Sequence, residues 1–168
     1  KGGAPVRQTA SLPELIRDST SFALRGSNVR CEFQAAPGLW PVEVDQGQFS
    51  QVIQNLVINS VQAMPAGGVV RVFADNVTLA ADSPIALPPG RYCRITVKDH
   101  GLGIKPEHLG KVFDPYFTTK EKGTGLGLAT SYSIVKKHDG IITVDSTLGV
   151  GSEFHVYLPA SEKQVKSV

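Results

Sequence analysis

Three clusters in this 168-residue chain have residue types and spacing suited to a nucleotide. Asn55, Asn59 and Gln62 recur at i, i+4 and i+7, which places three amides along one stripe of a helix. An unpaired buried amide is costly, so such a stripe wants partners. An amide carbonyl is a hard oxygen donor suited to Mg²⁺, a metal that keeps waters and phosphates at its other positions. A solvated surface stripe is the competing reading, and for these three amides alone it is the stronger. The second cluster is Asp99-His100-Gly101-Leu102-Gly103, directly after a strand pattern. A carboxylate at a strand end can accept a hydrogen bond from an exocyclic amine, and the glycines let backbone approach a flat ring. An ordinary Asp/Gly turn would look the same.

The third cluster is Gly123-Thr124-Gly125-Leu126-Gly127-Leu128, opening a helix. Glycine-rich backbone at a helix N-terminus offers unpaired N–H groups and the positive end of the dipole to an anion. No Gly-Lys-Ser/Thr follows, so it is not a P-loop. The string Gly125-x-Gly127-x-x-Thr130 fails the dinucleotide pattern at its last glycine. His-Arg-Asp and Asp-Phe-Gly, two signatures of eukaryotic-type kinases, are absent. Between the second and third clusters runs Val112-Phe113-Asp114-Pro115-Tyr116-Phe117-Thr118-Thr119-Lys120. A long segment with glycines at both ends is expected to move as a lid, over about residues 110–122. Lys120 would be its point charge for a phosphate. Phe113 and Phe117 are expected to pack a hinge.

The elements that must position these groups follow from periodicity and punctuation. Residues 1–10 are polar and read as a linker. Ser11 reads as an N-cap with Glu14 three residues on, opening a helix to about Arg25 that Gly26 stops. Strands are expected at Val29–Gln34 and Leu39–Val44. Asp45 caps a helix from Gln46 to Met64, with Val52, Ile53, Leu56, Val57 and Val61 as its apolar body. Further strands fall at Val69–Thr78 and Arg91–Asp99, separated by a proline-rich loop. A helix follows from Gly125 to His138, with Gly140 as its left-handed terminator. Strands at Ile141–Asp145 and Glu153–Leu158 close the set, and residues 161–168 read as a tail. Three helices and about six strands suggest an α/β two-layer sandwich: a mixed, largely antiparallel sheet with the helices on one face. Residues 11–160 form the domain.

Composition narrows the function. Charged residues are 19% and hydrophobic residues 41%, which argues against disorder. A chain of this length can bury about 70% of its unfolded surface. No apolar run is long enough to span a membrane. A net charge of +2 is no electrostatic footprint for a nucleic acid. Cys31 and Cys93 lack partners at metal spacing and read as reduced, mostly buried thiols of a cytoplasmic domain. The chain starts at Lys1, so it is expected to be part of a longer protein, one that could be membrane-anchored elsewhere.

The order of the motifs resembles the catalytic ATP-binding domain of sensor histidine kinases, in the GHKL ATPase superfamily, over about Leu12 to Pro159. Asn55–Ser60 is similar to the N box, Asp99–Gly103 to the G1 box, Phe113–Phe117 to the F box and Gly123–Leu128 to the G2 box. The Phe-Thr-Thr-Lys string, Phe117–Lys120, resembles the nitrogen-regulation sensor kinases. The resemblance implies ATP and Mg²⁺ as cofactors, Asn59 as the metal ligand, and Asn55, Asn59 and Lys120 as catalytic residues. It implies an ATP-binding set of Asn55, Asn59, Gln62, Asp99, Gly101, Gly103, Ile104, Phe117, Thr118, Thr119, Lys120, Gly123, Thr124, Gly125, Leu126, Gly127, Leu128, Ser152 and Phe154. Asp99 would read the adenine amino group, with Ser152 and Phe154 closing that pocket. His100, Tyr116 and Ser60 depart from the common residues of the boxes. Gln62 stands where many relatives carry Lys, with Lys120 as the other source of charge.

In ATP-hydrolysing relatives a Glu one turn before the N-box Asn is the general base. Here that position is Asn55, and a neutral amide takes no proton near pH 7. Phosphoryl transfer to a nucleophile from elsewhere is therefore favoured over hydrolysis. Of His100, His108, His138 and His155, only His138 precedes an acid, and a glycine then ends its helix. The phosphoacceptor His is expected on an upstream dimerisation domain, with a response-regulator receiver as the next partner and neither nucleic acid nor membrane touching this domain. An anti-sigma-type serine kinase and a non-catalytic nucleotide-binding regulatory module are the alternatives.

Overall fold

The computed structural model describes residues 3–117 and 127–163. Five strands form the main sheet in the order β2-β4-β5-β7-β6, from Val29–Ala35, Gly68–Leu79, Gly90–Lys98, Gly151–Pro159 and Ile141–Thr147 respectively. β2 runs parallel to β4, and the other neighbours are antiparallel. The parallel pair needs a crossover, and a helix supplies it. That is α2, Gln46–Ala63; with α1, Leu12–Ala23, and α3, Gly127–Lys137, it packs on one face of the sheet. The expected mixed two-layer sandwich is the observed architecture.

The residues explain the helices. α2 buries Phe49, Val52, Ile53, Leu56, Val57 and Ser60, a stripe at helical spacing. Each fully buried aliphatic side chain contributes about 1.5–3 kcal/mol. Asp45 caps it as expected, accepting from Gln48 N–H at 3.1 Å through Oδ1. Ser11 precedes α1 in extended conformation but makes no side-chain cap, so its expected capping box is not formed. Ser19 Oγ donates instead to Leu15 O and lies 3.0 Å from Ser50 Oγ, stitching α1 to α2.

Three local expectations are corrected. Gln8–Ala10, read as linker, form the strand β1, antiparallel to β3, Val42–Val44. The expected strand Leu39–Val44 is thus shorter and belongs to a separate two-stranded sheet. Pro41 has no N–H to give a ladder, and Trp40 N–H is taken by Asn76 Oδ1 at 2.9 Å. At the end of α3 the left-handed residue is Asp139, φ +63°, not Gly140. Asp139 N–H bonds Lys136 O and Gly140 N–H bonds Val135 O, a Schellman pattern. Gly140 is required for another reason: a Cβ there would lie 1.9 Å from Tyr157 O. In the tail, Ser161 Oγ donates to Glu43 at 3.2 Å, while residues 164–168 lie outside the described residues.

The two cysteines are free, Cys93 buried and Cys31 half-buried. Burial pushes their thiols up to about 12 and about 11, so neither is a thiolate near neutral pH. Asp45 is held below the ordinary carboxylate value of 3.8 by N–H groups of Val6 and then Gln48. Its folded pKa is the lower one, so its contribution is present above pH 3.8 and is lost as pH falls through the folded value. Asp45→Asn is expected to flatten the acid limb of the stability–pH curve below pH 4, read by thermal melts.

Candidate functional site

The site is built where β5, α2, α3 and the β6–β7 hairpin meet. β5 ends in Asp99, a charged residue only 1% exposed. Its Oδ1 accepts from Gly101 N–H at 2.9 Å and Ser152 N–H at 3.2 Å. Its Oδ2 is buried with no hydrogen-bond partner among the described residues, and the Ser60 hydroxyl is in the same condition. Ser60 lies close enough to favour the ionised carboxylate, but the two miss ordinary hydrogen-bond geometry. Burial pushes the Asp99 carboxyl up, opposed by the two backbone N–H groups and Ser60. A buried acceptor left open costs stability, so it marks a place for a donor.

The loop after Asp99 is pinned from two sides. Leu102 N–H donates to Ala63 O at 3.0 Å, at the end of α2, and Gly149 N–H donates to Leu102 O at 2.8 Å. Ile104 N–H donates to Ser146 Oγ, which also lies 2.8 Å from Ser152 Oγ. The glycines are sterically required. A Cβ on Gly101 would sit 2.3 Å from Ala63 O, and one on Gly103, at φ +74°, 2.2 Å from Thr147 O.

The amide stripe lies beside this loop. Asn55 and Asn59 are half-buried and Gln62 is exposed. Asn55 Nδ2 donates to Gly127 O at 3.1 Å and to Ser131 Oγ at 3.2 Å, tying α2 to the first turns of α3. Phe113 packs on Tyr132 and meets Phe154 edge-on at 6.2 Å, while part of the segment expected to move as a lid, residues 118–122, lies outside the described residues. Phe154 is wholly buried, so it forms a floor of the core beneath the site. Phe117 meets His108 edge-on at 5.2 Å.

Of the residues singled out from the sequence, the structure gathers Asp99, Gly101, Ile104 and Ser152 into one hydrogen-bonded unit, with Gly103 packed against the Thr147 backbone. Asn55 and Gly127 meet across the helix pair, Leu128 is half-buried against the core, and Asn59 lies one turn from Asn55. Thr118, Thr119, Lys120, Gly123, Thr124, Gly125 and Leu126 lie outside the described residues. Sequence reasoning missed Ser131, Ser146 and the Ala63 carbonyl. Ser131 has a faint signal, lying i+4 from Gly127 on α3; the other two have none. Among the described residues no three His, Cys, Asp or Glu side chains group as a metal cage. Asn59 fits a metal held chiefly by phosphates and water.

Three of the four histidines have ring nitrogens within hydrogen-bond distance of neighbouring groups. His138 is 3% exposed and uses both ring nitrogens, on Asp45 N–H and Ile134 O. His155 Nδ1 lies 2.9 Å from Thr96 Oγ1, and His100 Nε2 lies 2.9 Å from Arg71.

A two-layer sandwich with an acid at the end of a central strand, glycine-shaped loops and an amide-bearing helix defines a nucleotide-site architecture of the histidine kinase catalytic type. A family model for "Histidine kinase-, DNA gyrase B-, and HSP90-like ATPase" matches residues 44–162, and the chain belongs to that family as a histidine kinase-type catalytic domain. It is 41% identical over 159 residues to the sensor kinase CckA of Brucella abortus, covering 90% of this chain and 17% of that protein. It is 36% identical over 157 residues to the sensor histidine kinase ZraS of Escherichia coli K12, covering 92% and 31%. The catalytic domain of the histidine kinase ThkA superposes with a TM-score of 0.73 at 28% identity, covering 92% of this chain and 97% of that one. The chain thus spans less than a third of these two sensor kinases.

Proposed function

We propose that this domain binds ATP with Mg²⁺ and transfers the γ-phosphate to a histidine on a dimerisation domain of the same protein, from which a response regulator receiver would take it. Residues 11–160 with the β1 strand are the catalytic unit. The observation that carries the reading is Asp99: a buried carboxylate with one oxygen held by two backbone N–H groups and the other buried without a hydrogen-bond partner among the described residues. An adenine amino group supplies that donor, and Ser60 and Ser152 lie beside it to complete the pocket. Gly101 and Gly103 keep the loop flat against the ring, with Ile104 as an apolar edge. Asn59 contributes its carbonyl to the metal, and Asn55 and Gly127 face the phosphates from the α2–α3 junction. Lys120 and the glycines 123–127 are assigned to the phosphates on the motif alone.

Bound Mg²⁺ would neutralise phosphate charge. The chain's own residues position the phosphates and offer no base at Asn55, so the accepting group must come from outside the pocket. The test is a thermal melt with ADP–Mg²⁺ and with GTP–Mg²⁺, followed by transfer of labelled phosphate from ATP to an added histidine-bearing dimerisation domain of a sensor kinase. Ligand at a hundredfold over its Kd stabilises by about 2.7 kcal/mol. A shift with ADP alone and label on the added domain is the expected result. Binding without transfer would point to a regulatory module, and no shift with either nucleotide would reject the pocket.

Asn59→Ala is expected to lower affinity for ADP about tenfold with Mg²⁺ present and far less with EDTA, by calorimetry. Equal losses in both conditions would remove Asn59 from the metal.

A further inference from the structure

We propose that residues 3–10 are a clasp that sets the position of α3 against α2, and that Arg7, Asp45 and His138 are positioning residues for the nucleotide site through it. The inference rests on the nucleotide-binding reading above and adds a control to it.

Asp45 is the hub. Its Oδ1 caps α2, its Oδ2 accepts from Val6 N–H at 3.0 Å, and its own N–H donates to His138 Nε2 at 3.0 Å. A backbone N–H can only donate, so Nε2 accepts and the ring proton sits on Nδ1. Nδ1 then donates to Ile134 O at 2.8 Å, inside α3. One residue therefore joins the N-terminal segment, the start of α2 and the end of α3. The segment adds ties of its own. Arg7 donates to Asp139 Oδ2 at 3.2 Å and to Lys137 O, gripping the last turn of α3. Gln48 Nε2 donates to Gly3 O at 3.0 Å. β1 pairs with β3, and β3 leads straight into Asp45, so the strand and the hub cannot move independently.

The consequence lies at the other end of α3. An eleven-residue helix is a lever of about 16 Å. Its far end is the Gly127 turn that Asn55 holds, at the phosphate side of the site. Seating the clasp fixes the near end and so favours one placement of the Gly127 turn. Any motion of chain preceding residue 3 that lifts the clasp would release that placement. The Arg7–Asp139 pair is too exposed to act alone, so the effect belongs to the set of bonds.

The test uses Val6→Pro, which deletes the N–H that Asp45 Oδ2 accepts while leaving the α2 cap, combined with Arg7→Ala. ADP–Mg²⁺ affinity and hydrogen exchange over residues 127–137 are measured in the parent chain, the double variant and Val6→Pro with Arg7→Lys. The expected result is an affinity about fivefold lower in the double variant. Exchange over 127–137 should be faster, with partial recovery of both when Lys restores the charge. Unchanged affinity in a variant whose parent binds ADP overturns the proposal, whatever the exchange shows. If the parent binds no ADP, the nucleotide reading has failed, and unchanged exchange over 127–137 then overturns the clasp separately.

Discussion

Asp99→Asn is expected to lower affinity for ADP by about 10- to 100-fold and to leave the nucleotide-free domain at least as stable as the parent. The loss follows from chemistry at one atom. The asparagine carbonyl can still accept from Gly101 and Ser152 N–H groups, which keeps the loop. The open acceptor Oδ2 is replaced by an NH₂ group that faces the adenine amino donor. A hydrogen bond to a charged group is worth about 1.5–3 kcal/mol, and each 1.4 kcal/mol is tenfold in affinity. The stability follows from burial. Burial raises the folded pKa of Asp99 above the ordinary 3.8, so the folded state holds that proton more tightly than the unfolded one. Stability from this group falls as pH rises from 3.8 through the folded pKa, and at neutral pH the buried charge is a cost. The neutral amide removes that cost. Calorimetry with ADP and melts from pH 3 to 8 check both halves. Unchanged ADP affinity would mean that the buried acid is structural and the adenine reading is wrong.

Gly103→Ala is expected to lower stability by about 2–4 kcal/mol, a drop of about 5–15 °C in Tm for a domain of this size, and to abolish measurable nucleotide binding. Two costs add. At φ +74° an L side chain is strained, and its Cβ would sit 2.2 Å from Thr147 O and 2.8 Å from Leu148 Cα. Both contacts are backbone and cannot swing aside. Relief requires separating the loop after β5 from the β6–β7 hairpin, which breaks the Gly149–Leu102 bond at 2.8 Å and the Ile104–Ser146 bond. The loop backbone proposed to face the adenine ring would move with them. Gly149→Ala is the control: its φ is +81°, but nothing lies within 4 Å of the added carbon. It is expected to cost about 1 kcal/mol. Equal Tm losses for the two variants would show that conformation, not close approach, dictates glycine at position 103.

Much of the architecture was legible because it is written in short-range pattern. The apolar stripe of α2 repeats at helical spacing, and the acceptor that starts it, Asp45, lies three residues from the N–H it caps. Asp99 at a strand end and the glycines after it read as a ligand loop from five residues. What stayed hidden depends on register between distant segments. Gln8–Ala10 carry no strand pattern of their own and become a strand only by lying against Val42–Val44. Asp139 could be assigned the left-handed position only once Gly140 was seen against the Tyr157 carbonyl, where no Cβ fits.

The amino-acid order alone therefore settled the three helices, the strands of the main sheet, the two-layer class and the chemical types at the site, since helix period, strand alternation and caps are properties of neighbouring residues. Three-dimensional packing settled which groups complete that site. Ser152 reaches Asp99 across 53 positions, Asn55 reaches Ser131 across 76, and His138 reaches Asp45 across 93. No local propensity encodes such pairs. They arise when buried polar atoms, brought together by the burial of apolar surface, must find one another because water is no longer there to bond them.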